Sequence, residues 1–191
     1  DGDKLNDVSK TYVSRLSGEE VYNKLTAWAK EFDGEFYTLI TRDGDYTKAM
    51  LSIDRDVPKP RKDIAKWNET KDYFSYFFNE LYSNELVLPE NISPCDAKEF
   101  LKRYKTVYNV SDDRQQWFDR IKSIAPEIGF AAETKQYKAE PEKYKGHAGD
   151  LSTVLRITVT GRRNTPDLCS IMKVLGYDTC IARIEKAINT L

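Results

Sequence analysis

Leu155-Arg156-Ile157-Thr158-Val159-Thr160-Gly161-Arg162-Arg163-Asn164-Thr165-Pro166-Asp167-Leu168 is the stretch whose reading decides the fold. Its first half is ambiguous, because the Ile-Thr-Val-Thr alternation favours a strand on propensity alone. Its second half is not: Thr165 reads as a helix cap, Pro166 as the first helical residue, and Asp167 faces the positive helix end. Leu168, Ile171, Met172 and Leu175 then recur at helical spacing and Gly176 ends the run. Gly161 permits a reversal, while Arg162 and Arg163 add charge. An arginine, Arg156, is thereby expected beside an exposed helix start, where guanidinium and free N–H groups suit an anionic or hydrogen-bond-rich ligand. The plainer alternative pairs Arg156 with Asp150 or Asp167.

Working outward, the same signals repeat. Ser17-Gly18-Glu19-Glu20 is a capping box, followed by Val21, Leu25, Trp28, Ala29 and Phe32 on one face, with Trp28 expected in the core and Asp33-Gly34 as the stop. A helix over 45–55 is expected to end ahead of Pro58 and Pro60. The proline-stiffened turn that follows presents Lys59, Arg61 and Lys62 with little entropy left to lose on binding. Tyr73, Phe74, Phe77, Phe78 and Leu81 predict a helix over 70–81 with a buried stripe. Ser93-Pro94 and Ser111-Asp112-Asp113 open two more helices, and Asp178 is expected to cap a last one. Residues 133–149 read as a long polar connection with His147 on the surface. A boundary at 83–92 divides the chain into helical subdomains 1–85 and 86–191.

Composition narrows the function. Thirty Lys and Arg stand against 31 Asp and Glu, for a net charge of −1, so any nucleic-acid binding must use local patches. Residues 151–191 carry such a bias. Three cysteines without paired spacing and one histidine indicate neither a zinc site nor a disulfide framework. No apolar run reaches the roughly 18–20 residues of a membrane span, and a soluble cytoplasmic protein is expected.

The decisive stretch resembles the "LRxALTGxxxGPDL…LG" pattern of the anticodon-binding part of bacterial glutamyl-tRNA synthetases, and the likeness runs on through Leu175-Gly176 to Ile181-Ala182-Arg183-Ile184-Glu185. Gly149-Asp150-Leu151 to Leu155-Arg156 resembles that family's "GDxxxxLR". Lys4-Leu5-Asn6 to Tyr12-Val13 is similar to the "KLxxxNxxYI" that follows its catalytic domain, and Arg61 matches the arginine of its "RxxTL". The sequence departs at Ile157, Val159, Ser9, Asp63-Ile64 and Thr165.

The resemblance implies an all-α fold, with two helical subdomains forming an anticodon-binding bundle or cage, and a helical state for residues 155–160. It implies the anticodon stem-loop of glutamate transfer RNA as partner, with no DNA or membrane partner and a monomeric chain. Arg156 would contact a base, Thr165, Pro166 and Leu168 would frame its pocket, and Arg61 would read the wobble base with its guanidinium exposed. Lys59, Lys62, Arg162 and Arg163 complete the expected RNA contacts. No catalytic residue, metal or cofactor is expected here, since ATP and Mg²⁺ belong to the catalytic domain of the parent glutamate-tRNA ligase, expected ahead of residue 1. The rival reading is a helical adaptor for an acidic protein. A free-standing enzyme is disfavoured by the absence of "HIGH"-like, "KMSKS"-like and P-loop motifs.

Overall fold

The structure, a computed structural model, describes residues 2–191. Among these, eleven α-helices and four short 3₁₀ turns succeed one another without a strand, as an all-α protein requires. The chain divides into two compact units, one ending at Tyr82 and one running Ser83–Leu191.

The first unit contains α1 (Gly2–Ser14), α2 (Gly18–Phe32), α3 (Gly34–Arg42), α4 (Gly44–Ser52) and the single turn α5 (Thr70–Tyr73). The Ser17–Glu20 capping box forms as expected at the head of α2. Val21, Leu25 and Ala29 of α2 are buried with Phe36 and Ile40 of α3 and Met50 and Leu51 of α4. Burying each large side chain contributes about 1.5–3 kcal/mol. Three expectations need correction. Trp28 is only half-buried and stacks on Phe32, which is 65% exposed. The 70–81 segment is not one helix: α5 gives way to a 3₁₀ turn at Ser75–Phe77 and then to extended backbone at Phe78. A continuous helix has one buried stripe, whereas Phe74, Tyr76, Phe77 and Phe78 are all buried, so the chain breaks to point them in several directions. Phe78 then meets both Phe36 and Tyr46 edge-on. Finally, the 45–55 helix begins at Gly44 and ends at Ser52.

The second unit contains α6 (Pro94–Val107), α7 (Arg114–Ile124), α8 (Thr134–Ala139), α9 (Ala148–Thr160), α10 (Leu168–Leu175) and α11 (Tyr177–Thr190). Ser93 caps α6 with Pro94 at its start, and Asp113 caps α7. Helix α9 touches α6, α7 and α11 and forms the centre of this unit. Around Leu151, Val154 and Leu155 lie Phe100, Leu101, Ile121 and Ile184, all fully buried. The polar 133–149 region holds α8 and a 3₁₀ turn, and His147 is the cap of α9: its Nδ1 accepts from the Gly149 N–H at 3.0 Å while Asp150 accepts from the His147 N–H. Gly176, not Asp178, precedes α11. Near the start of the second unit, Asn84 is tied to the end of α9: its Nδ2 donates to the carbonyls of Ile157 and Thr158 at 2.7 and 3.1 Å.

Asp33 ends α2 and starts α3, accepting from the Phe36 N–H at 3.0 Å and from Lys71 at 2.9 Å. These bonds, the backbone one foremost, lower its pKa. A depressed carboxylate contributes stability that is complete above its unfolded value, about 3.9, and is lost as pH falls through the folded one. Asp33→Ala is therefore expected to lower the urea-unfolding free energy by about 1 kcal/mol near neutral pH. The difference from the unaltered chain should shrink as the pH falls below the unfolded carboxylate value, about 3.9, and through the lower folded one.

Candidate nucleic-acid interface

The segment that carries Arg156 is helical to its last turn, and the reason is burial. Ile157, Thr158, Val159 and Thr160 are all buried, so the final turn of α9 is enclosed on every side and tertiary contacts override the strand propensity of its β-branched residues. Enclosure raises a second demand, because the last four carbonyls of a helix have no partner within it. The Gly161 N–H returns to Ile157 O at 2.7 Å, Asn84 serves Ile157 and Thr158, and the Arg183 guanidinium donates to Val159 O at 2.7 Å. Arg183, 6% exposed, is thus a charge at the negative helix end. Gly161 must be glycine: its φ is +74°, and a Cβ there would stand 3.0 Å from Ser83 O.

Past Gly161 the chain turns through Arg162 and Arg163 to α10. Asp167 caps this helix, its carboxylate accepting from the Ser170 N–H at 2.9 Å and from the Ser170 hydroxyl at 2.6 Å. Thr165 is therefore not the cap, nor Pro166 the first helical residue, since α10 begins only at Leu168. Thr165 and Pro166 are instead buried, and Arg156 explains how: its Nη1 donates to the Thr165 hydroxyl, to Thr165 O at 3.3 Å and to Pro166 O at 2.8 Å. One half-buried guanidinium thus gathers the turn against α9. Leu168 is 1% exposed and belongs to the core. Arg163 is exposed and donates to Leu88 O at 3.0 Å, while Arg162 is half-buried with its N–H on Thr160 Oγ1. Arg114, at the head of α7, pairs with Asp167 at 3.1 Å and brings a further, largely exposed arginine to the helix start. No local pattern pointed to Arg114, Asn84 or Arg183, because each acts across 24 or more residues of chain.

In the first unit, Lys59 and Lys62 are exposed on the proline-stiffened turn. Arg61 is not: its Nε and Nη2 form a fork with Asp63 at 2.8 and 3.2 Å, and its side chain is 32% exposed. The expected free guanidinium is corrected, because Asp63, two residues on, takes the bidentate edge. Tyr73 lies half-buried beside this pair, and desolvation, then Asp63, pushes its pKa up.

The arrangement is that of an all-helical protein whose arginines gather about a buried helix end. Residues 20–188 match the family described as "Anticodon binding domain", and the chain belongs to that family. It is 41% identical over 187 residues to a glutamate–tRNA ligase of Clostridium perfringens, which covers 96% of this chain and 34% of that protein. A glutamate–tRNA ligase of Sorangium cellulosum is 42% identical over 185 residues, covering 96% of the chain and 32% of the relative. Glutamate–tRNA ligase 2 of Thermoanaerobacter pseudethanolicus is 31% identical over 161 residues, with 84% and 29% covered. The chain thus spans about a third of the length of the curated relatives it matches. Among the described residues no helix is long and apolar enough to cross a membrane, and no cluster of His, Cys, Asp or Glu could hold a metal ion.

Removing the donor at the end of α9 leaves a buried carbonyl unpaired. Arg183→Met is expected to lower unfolding free energy by about 1–3 kcal/mol in denaturant titrations. Gly161→Ala, which must hold a left-handed residue, should cost at least about 1–2 kcal/mol in the same assay.

Proposed function

We propose that this chain recognises the anticodon loop of transfer RNA as part of a cytoplasmic glutamate–tRNA ligase, the remainder of which would join glutamate to that RNA using ATP and Mg²⁺. The observation that carries the reading is the turn from Gly161 to Leu168. Arg156, held in place by three acceptors of Thr165 and Pro166, anchors the turn that carries Arg162 and Arg163 toward α10, where Arg114 pairs with Asp167. Sequence-specific RNA recognition targets splayed single-stranded bases with donors and planar groups, and a half-buried guanidinium offers both. Thr165, Pro166 and Leu168, all buried, then act from behind by holding the turn in shape, while Arg162 and Arg163 meet phosphates. Membership of the anticodon-binding family and the names of its relatives support the same reading. Nothing in them favours the adaptor for an acidic protein.

For Arg61, forked with Asp63, we propose a part other than that of wobble-base reader. It stiffens the turn, and Lys59 and Lys62 beside it take phosphates. Arg61→Gln in the complete ligase is accordingly expected to keep the parent's preference between cytosine and uridine at the wobble base, and a narrowed preference would return Arg61 to direct readout.

Labelled transfer RNA with a glutamate anticodon tests the main proposal. The chain should bind it with affinity that falls steeply with salt, and should support no glutamate-dependent exchange between ATP and pyrophosphate. Arg156→Ala should cost about 1–3 kcal/mol of binding per folded molecule. Undiminished affinity in the folded variant would reduce Arg156 to a structural tie.

A further inference from the structure

Between the end of α1 and the proline-stiffened turn lies an open cleft of about 700 Å³, lined by Thr11, Ser14, Arg15, Asp56, Val57, Pro58, Lys59, Pro60 and Lys62. Three cations face one carboxylate there. Other cations of the same unit are spent on carboxylates: Arg42 on Glu80, Lys48 on Glu19, Arg61 on Asp63 and Lys71 on Asp33. Arg15, Lys59 and Lys62 are exposed, and among the described residues their side chains have neither an ion-pair nor a hydrogen-bond partner. Other lysines of the unit are also unpaired, but these three cations line one cleft with Asp56 as its one carboxylate, which concentrates positive charge locally in a chain of net charge −1.

The walls are fixed before any ligand arrives. Arg55 donates to Leu51 O at 2.5 Å and, across the unit, to Val13 O at 2.8 Å and Leu16 O at 3.3 Å, tying the ends of α4 and α1 to one guanidinium. Asp54 and Asp56 on either side of it adopt φ of 55° and 54°, a region uncommon for non-glycine residues in which aspartate is among the best tolerated. Pro58 and Pro60 then restrict the strand that bears Lys59 and Lys62.

We propose that this cleft seats the phosphodiester backbone of a single RNA strand, with Arg15, Lys59 and Lys62 as its cations. The proposal rests on the transfer-RNA reading above and adds α1, through Arg15, to the binding surface. Cations on two separate segments along an open cleft match a chain of phosphates better than one compact anion. Contacts of this kind position the RNA without reading its sequence.

The test is the salt dependence of transfer-RNA binding by the whole chain. Each phosphate contact to a single strand contributes roughly 0.7 to the slope of log affinity against log salt, so Arg15→Gln, Lys59→Gln and Lys62→Gln combined should flatten it by about 2. Arg15→Gln alone should flatten it by about 0.7, and Lys48→Gln, which removes a paired surface cation, should leave it unchanged. Discrimination between the glutamate anticodon and one with altered bases should persist in all three. An unchanged slope in a folded triple variant, or loss of discrimination with it, would overturn the proposal. So would saturable binding of inorganic phosphate at matched ionic strength that the triple variant abolishes, since the cleft would then serve a small anion. If the unaltered chain binds no transfer RNA, the functional reading itself falls and the cleft proposal with it. Binding with an unchanged slope removes the cleft alone.

Discussion

The second unit depends on one constraint: α9 ends inside protein. A helix that stops in water leaves its last carbonyls to the solvent, but α9 closes with Ile157, Thr158, Val159 and Thr160 buried, so those carbonyls need partners from elsewhere in the chain. Asn84, Gly161 and Arg183 supply partners for those of Ile157, Thr158 and Val159 from before, at and after the helix. The need explains why an arginine is buried in α11, why Asn84 is tied to the helix end, and why the reversal that leads to α10 is made at a glycine.

The candidate RNA-facing surface of this unit is a by-product of the same closure. Once α9 has ended, the chain must pass over its flank to reach α10, and Arg156 holds it there through carbonyl and hydroxyl acceptors of Thr165 and Pro166. Asp167 can then cap α10 and pair with Arg114. A guanidinium used in this way is held rigidly, and rigidity lowers the entropy lost when a ligand orders it. Structural tie and recognition element are compatible roles for one side chain.

The first unit manages its charge differently. Arg42, Lys48, Arg61 and Lys71 are matched with carboxylates, several of them well exposed, and such pairs contribute little to stability. Among the cations left over, Arg15, Lys59 and Lys62 share one cleft beside a turn that carries two prolines and two aspartates of positive φ.

The sequence by itself determined the helical class, the Ser17–Glu20 box, the Ser93-Pro94 start, the buried Val21, Leu25 and Ala29 of α2 and the apolar face of α10, because these depend on spacing and on hydrogen bonds spanning three or four residues. It also singled out Arg156 and Gly161, through a pattern specific enough to resemble one family. Only the tertiary structure decided the rest. Whether Thr165 or Asp167 caps α10 turns on Arg156, which draws Thr165 inward. Whether residues 70–81 form one helix turns on how many aromatic rings the core can take from one stripe. Arg61 could be read as free only while the geometry of Asp63 was unknown, and Asn84 and Arg183 carry no local mark because the carbonyls they satisfy lie far along the chain. Local periodicity fixes which groups a segment offers; three-dimensional burial fixes which of them must find a partner.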